Sequence, residues 1–255
     1  MPEYAPYTRY YDLVTNTLYD VSFYLQYAAQ CGGPILELAC GTGRLVVPLA
    51  EAGYEVYGID LSEEMLAVCR EKVNRHGLSD RVTLTEGNMS SFDLPRKDFT
   101  LAYVPLRSFS HLFTQRDQMA CLRCVANHLS PGGTFIVAIF APHYKVLAQE
   151  HEGKDIKRGE FTMPDGNLVV RWERFIRNDV ARQILHFRFR FEERDCSGEL
   201  VNTLEAPLDM RYTFRYELQL LFEKVGFQVT DVFRDYERHP YDGTGEIIMV
   251  GRKPE

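Results

Sequence analysis

No uninterrupted apolar run in the 255 residues reaches the roughly 18–20 that a membrane-spanning helix needs. No membrane segment is therefore expected. The opening stretch "MPEYAPYTRYYDLV" lacks the basic start and apolar middle of a secretory signal, so none is expected there. An excess of positive charge is also missing. The net charge of −7 and a pI near 5.6 argue against a protein that tracks a nucleic-acid backbone, while leaving room for a local basic groove. Internal repeats, low-complexity tracts and a disordered tail are absent, which excludes solenoid and linker architectures. The six cysteines (31, 40, 69, 121, 124 and 196) fall mainly in expected strands and helices and read as reduced thiols of a cytoplasmic protein. Cys121 and Cys124 have C-x-x-C spacing, but they sit inside the helical stretch "QRDQMACLRCVANHL". No second pair completes a tetrahedral site, so no metal is expected.

What is present is an ordinary globular composition, 45% apolar and 25% charged, enough for a substantial core. Residues 4–30 are tyrosine-rich and helical in pattern, and "CGGP" ends them. Short apolar strands then alternate with amphipathic helices. The strands are "PILELA", "YEVYGID", "RVTLTEG", "FTLAYV" and "GTFIVAIF", the last entered through the turn "SPGG". Gly53 closes the first intervening helix, and Ser62 caps the second with Glu63 and Glu64 in its first turn. This rhythm implies parallel βαβ units covered on both faces. From about 160 to 212 the pattern changes to an antiparallel insertion of about three strands, with turns at "RNDVA" and "DCSGE". The helix "RYELQLLFEKVG" and a final hairpin follow.

The run "ILELACGTGR" breaks from strand into Gly41-Thr42-Gly43. A P-loop would need a lysine that is missing. A dinucleotide fingerprint needs a small third residue, and Val46 stands there, so a pyrophosphate is disfavoured. A glycine turn at the carboxyl edge of a parallel sheet still forms a ligand crevice, with Gly41 and Gly43 expected to leave no Cβ in the ligand's way. Asp60, at the end of the second strand, suits a diol, each hydroxyl donating one charge-assisted bond.

"ELACGTGR" resembles the first motif of class I S-adenosylmethionine-dependent methyltransferases, acidic-x-x-x-G-x-G. "EGNMSSFDL" is similar to that family's adenine-binding segment, with Asn88 where aspartate is usual, and "LSPGGTFIVAIF" to its turn into the fifth strand. The likeness covers about residues 10–142 and 213–253. It implies an α/β fold with a doubly wound seven-stranded, Rossmann-like sheet, the last strand antiparallel, and an antiparallel β insertion between strands 5 and 6. It implies three regions: a helical lid at 1–33, a cofactor-binding core at 34–142 and 213–255, and an insertion at 143–212 shaping the acceptor pocket. The cofactor implied is S-adenosyl-L-methionine.

Residue by residue, the resemblance puts Glu37 at the methionine end and Asp60 on the ribose. Leu61 and Met65 sandwich the adenine, with Asn88 and Met89 at its edge. Ala39, Gly41, Gly43 and Pro105 complete the cofactor set, and Tyr11 and Tyr19 close over it. Helix packing is the alternative for Met65 and for the tyrosines, and a buried structural glutamate the alternative for Glu37. Arg107, Ser108 and His111 follow the fourth strand, at the edge that faces the transferred methyl group in the family. His111 is a candidate general base, since imidazole titrates near neutrality, and Tyr11 is a candidate catalytic residue. Helix-start hydrogen bonding is the alternative for His111. The segment "VPLR" does not match the [DNS]-P-P-[YFW] of adenine-modifying enzymes of this fold.

"HFRFRFEER" alternates, putting Phe187, Phe189 and Phe191 on one strand face and Arg188 and Arg190 on the other. Residues 154–194 hold 10 Lys+Arg against 7 Asp+Glu. An aromatic-plus-basic strand can bind nucleic acid; a half-buried strand with a solvated face is the reading preferred here. The expected function is in-line methyl transfer to a small-molecule acceptor, most of all an amine, by a monomer or homodimer. The alternatives are a small-molecule O-methyltransferase, an RNA methyltransferase with a continuous basic surface, and a non-catalytic S-adenosylmethionine binder without an acceptor pocket.

Overall fold

A computed structural model describes residues 8–15, 18–143, 147–148 and 153–255. The chain divides into two compact units, one of residues 18–142 with 212–255 and one of residues 1–17 with 143–211.

In the first unit, β1 (Ile35–Leu38), β2 (Val56–Asp60), β3 (Val82–Glu86), β4 (Phe99–Val104) and β5 (Leu129–Phe140) run parallel. The hairpin of β10 (Gln228–Phe233) and β11 (Glu246–Arg252) joins them, β11 antiparallel to both neighbours, in the order β10-β11-β5-β4-β1-β2-β3. Side chains alternate across this sheet with period two. Leu36, Leu38, Val104, Val137 and Met249 enter one core, and Ile35, Leu101, Ile136 and Ile248 the other. Helices α5 (Gln115–His128) and α6 (Arg215–Val225) cover the first face. Helices α2 (Val21–Cys31), α3 (Val46–Glu51) and α4 (Glu63–Arg75) cover the second. Phe135 and Phe222 stack at 5.5 Å. Each such fully buried ring contributes roughly 1.5–3 kcal/mol of transfer free energy.

The helix signals act as read. Ser62 Oγ accepts from the Met65 N–H, and Gly226 ends α6 in the left-handed region. Cys121 is packed in the core and Cys124 donates to the Ser90 carbonyl, which makes them packing thiols. Among the described residues no cluster of three His, Cys, Asp or Glu could hold a metal, and no helix is long and apolar enough to cross a membrane. One boundary differs from expectation. The strand after α5 starts at Leu129, so "SPGG" is an irregularity inside β5: the register against β4 shifts between Phe99 and Leu101, and Gly132 takes a φ of +72°.

The second unit holds α1 (Thr8–Val14) and a sheet in the order β6-β7-β8-β9: β6 (Asp155–Thr162), β7 (Leu168–Asp179), β8 (Ile184–Arg194) and β9 (Leu200–Arg211). The insertion thus has four strands, not three. The missed one, "DIKRGEFT", is an edge strand whose charged, mostly exposed side chains give no apolar signal; pairing to β7 alone defines it. The 1–33 segment expected as one lid is divided. Helix α1 belongs to the insertion's unit and α2 to the other, while residues 1–7 and 16–17 lie outside the described residues. Tyr10 ties α1 to its sheet. Its ring stacks on Phe191 at 5.3 Å, and its hydroxyl donates to Glu193 Oε2 at 2.7 Å. The Glu193 carboxylate also accepts from Asn167 at 2.8 Å and Arg9 at 2.9 Å.

Tyr10→Phe keeps the stacking and strips the nearly buried Glu193 Oε2 of its donor. Urea unfolding should show a loss of about 1–3 kcal/mol. An unchanged midpoint would show that solvent replaces the hydroxyl.

Candidate functional site

Strand order reverses at β1, which has β2 on one side and β4 on the other, both parallel to it. The crevice of such a sheet opens at the carboxyl ends of these strands. There the chain leaves β1 through Ala39 (φ 56°), Gly41 (φ 54°) and Gly43 (φ 83°), all in the left-handed region. The Gly41 N–H donates to Asp60 Oδ2 at 2.7 Å, and the Ser62 N–H to Oδ1 at 2.9 Å. A carboxylate has about four lone-pair sites, so these bonds leave acceptor capacity for an outside donor. Burial pushes the Asp60 carboxyl up from its ordinary value, and the N–H groups of Ser62, Gly41 and Leu61, with nearby His111, pull it back.

Gly43 departs from expectation. A Cβ there would meet Cys69 Sγ at 2.5 Å. Its missing side chain makes room for α4 against the turn, an inward packing role.

Glu37 alternates with Leu36 and Leu38 and so faces the second core, almost fully buried. Its Oε2 accepts the Tyr103 hydroxyl at 3.0 Å. Burial holds its carboxyl well above the usual range, against the Tyr103 bond and the charge of Arg44. Arg44 pairs with Asp20 through both nitrogens of its fork, Nη2 to Oδ2 at 2.7 Å. Asp20 is fully buried at the start of α2, so the pair fastens that helix to the glycine turn. The Tyr24 ring lies 4.4 Å from that of Tyr103. The Arg44–Asp20 pair and Tyr103 were not singled out from sequence. Arg44 directly after the turn was the available signal; Tyr103 read as one more apolar strand residue.

Leu61 is 53% exposed beside Asp60, while Met65 is buried. Asn88 Oδ1 accepts from the Ser90 N–H at 2.9 Å and from its Oγ at 2.8 Å, so the amide nitrogen is the group with donor capacity. Met89 packs partly on the first core and Pro105 is buried after β4. His111 ends a short 3-10 turn, Ser108–His111, within electrostatic reach of Asp60. Tyr19 is exposed, its ring 5.4 Å from that of Tyr236. All these share one unit; Tyr11, half-buried on α1, belongs to the other. A cleft of about 530 Å³ lined by Tyr27, Thr100, Thr134 and Arg238 lies at the amino ends of β4 and β5. Concavity there coincides with none of the strand-end chemistry.

The raised Glu37 carboxyl has a sign. The unfolded chain loses this proton at the ordinary carboxylate value and the folded chain only at higher pH. Its contribution to stability is therefore present below the unfolded value and lost as pH rises to the folded one. Glu37→Gln keeps an acceptor for Tyr103 and removes the titration. Thermal melts should show the variant gaining on the parent as pH rises from 4 towards 8; parallel curves would mean that Glu37 is not desolvated.

Residues 35–133 match the family described as a methyltransferase domain. The glycine/sarcosine N-methyltransferase of Halorhodospira halochloris is 28% identical over 228 residues, 89% of this chain and 78% of the relative. The dTDP-3-amino-3,4,6-trideoxy-alpha-D-glucopyranose N,N-dimethyltransferase of Streptomyces venezuelae is 28% identical over 160 residues, 60% of this chain and 65% of the relative. Among solved structures, the CcbJ methyltransferase of Streptomyces caelestis aligns with a TM-score of 0.75 at 26% identity, covering 93% of this chain and 90% of its own. The matched segment spans the glycine turn, Asp60 and the strands around them: the chain carries a methyltransferase domain in the Rossmann-like fold of class I methyltransferases, and its likenesses support an S-adenosylmethionine-dependent enzyme.

Proposed function

We propose that this methyltransferase acts on a small-molecule amine. The observation that carries the cofactor end is the Asp60 carboxylate, held by the Gly41 and Ser62 N–H groups with acceptor capacity left over. That acceptor suits the two ribose hydroxyls of S-adenosylmethionine, which would donate to it. Exposed Leu61 supplies an apolar platform for adenine, the Asn88 amide nitrogen a donor for its ring edge, and Glu37 with Arg44 and Asp20 a polar floor for the amino-acid end. When bound, the cofactor supplies a methyl group on a positively charged sulfur, already activated for in-line displacement. The protein's residues then need mainly to align the partners and exclude water.

The amine rests on the two N-methyltransferases among the relatives, and on chemistry: an amine that arrives unprotonated needs no base. A hydroxyl acceptor is the second reading, favoured by an imidazole, His111, within electrostatic reach of Asp60. Charge pairing in the insertion argues against RNA. On the polar face of its sheet, Arg174 and Arg190 meet Asp155, Arg190 also meets Glu192, and Arg188 meets Glu205. Cations neutralised across strands leave little field for a phosphate backbone.

Asp60→Ala should weaken S-adenosylmethionine binding by about 1.5–3 kcal/mol in calorimetry; unchanged affinity would remove Asp60 from the ribose. A screen of amines and phenols should find turnover that changes little with salt, with RNA inert. Efficient RNA methylation with a steep salt dependence would overturn the small-molecule reading.

A further inference from the structure

The chain after β4 takes a strained path. Leu106 (φ 46°) and Arg107 (φ 69°) are consecutive left-handed residues, and neither is glycine or asparagine. Side chains with a Cβ resist this region, and such strain persists where surrounding structure over-determines it, above all at functional sites. Three backbone bonds hold it here. The Arg107 N–H donates to Ala138 O at 3.0 Å, Ser108 N–H to Pro105 O at 3.1 Å, and Ser110 N–H to Arg107 O at 2.9 Å.

The strain delivers a guanidinium to the carboxyl ends of β4 and β5, 5.9 Å from the Phe140 ring. Arg107 Nε donates to Glu246 Oε2 at 3.2 Å and Nη2 to Oε1, leaving Nη1 without a partner among the described residues. The Arg107 side chain is 50% exposed and that of Glu246 is 19% exposed. The rings of Tyr19, 57% exposed, and Tyr236 stand within electrostatic reach of both. Two magnitudes decide the reading. An ion pair half in water contributes little to stability, and two left-handed non-glycine residues cost more than such a pair returns. Stability therefore does not explain the turn.

We propose that Arg107 is a specificity residue: its guanidinium reads a carboxylate or phosphate group on the acceptor, while Glu246 keeps the fork oriented towards the crevice. A planar fork matches either anion with two parallel bonds, which a neutral hydroxyl cannot reproduce. The substrate class is then a small acceptor carrying an anionic group, and in the reading above an amine; the proposal rests on that reading.

The test uses the full chain, S-adenosylmethionine and amines in matched sets: an alcohol, a carboxylate and a phosphate ester on each skeleton. The anionic members should have KM values about tenfold or more below the neutral one. Arg107→Met should raise the anionic KM values by about ten- to a hundredfold, the range for charge-assisted bonds. It should leave kcat and cofactor affinity near the parent's. The member that loses most, carboxylate or phosphate, identifies the anion. An equal loss across a set, or no anionic preference in the parent, overturns the proposal. Arg107→Gly relieves the strain and should show the same loss without unfolding earlier; a markedly lower melting temperature would make the pair structural and overturn it too. Matched phenols separate the two failures. Anionic preference on phenols alone, abolished by Arg107→Met, keeps the role of Arg107 and overturns the amine. Amine turnover without anionic preference does the reverse.

Discussion

The bond from the Gly41 N–H to the Asp60 carboxylate joins the two strand ends on which the crevice depends. A glycine turn alone is free to take many shapes. A carboxylate across from it, holding the Gly41 N–H on one oxygen and the Ser62 N–H just past the end of β2 on the other, selects one of them. The same oxygens keep lone pairs for an outside donor, so the group that stabilises the turn is also the group proposed to hold the ribose. Burial makes the ionised carboxyl costly, and three backbone N–H groups offset that cost.

Around that bond the sheet obeys a simple alternation, and Glu37 is where it is broken. A residue between Leu36 and Leu38 on a strand buried on both faces must face a core. An ionisable group there is unfavourable for stability and persists beside Tyr103 and the Arg44–Asp20 pair. The polar cluster fastens α2, the glycine turn and β4 at one strand end. Local rules are broken there in favour of a polar floor, as they are at Leu106 and Arg107 in favour of an aimed guanidinium.

The insertion solves a different problem. Its apolar face collects Phe189, Phe191, Val169 and Ala206, all buried, and Tyr10 stacks on it. Its other face carries arginines whose charges are answered by Asp155, Glu192 and Glu205. Composition counts the cations; cross-strand pairing sets these arginines against carboxylates. Strict alternation in "HFRFRFEER" made the two faces legible, since period two is a local property of any strand.

Periodicity and punctuation by themselves determined the βαβ order, the closing hairpin, the glycine turn and Asp60 at a strand end, because strand period, capping residues and turn glycines act within a few residues. The antiparallel insertion was legible, but its first strand was not: an edge strand of charged residues exists through its neighbour. Only the tertiary structure decided the rest. It paired Arg44 with Asp20, 24 residues apart, and Arg107 with Glu246, 139 apart. It turned Gly43 inward against Cys69, where the turn alone suggested an outward face. It split the tyrosine-rich N-terminus, sending Tyr10 to Glu193 and Tyr24 to Tyr103. Each of these is a contact between distant segments. Its partner is set by sheet order and helix packing, which no window of neighbouring residues contains.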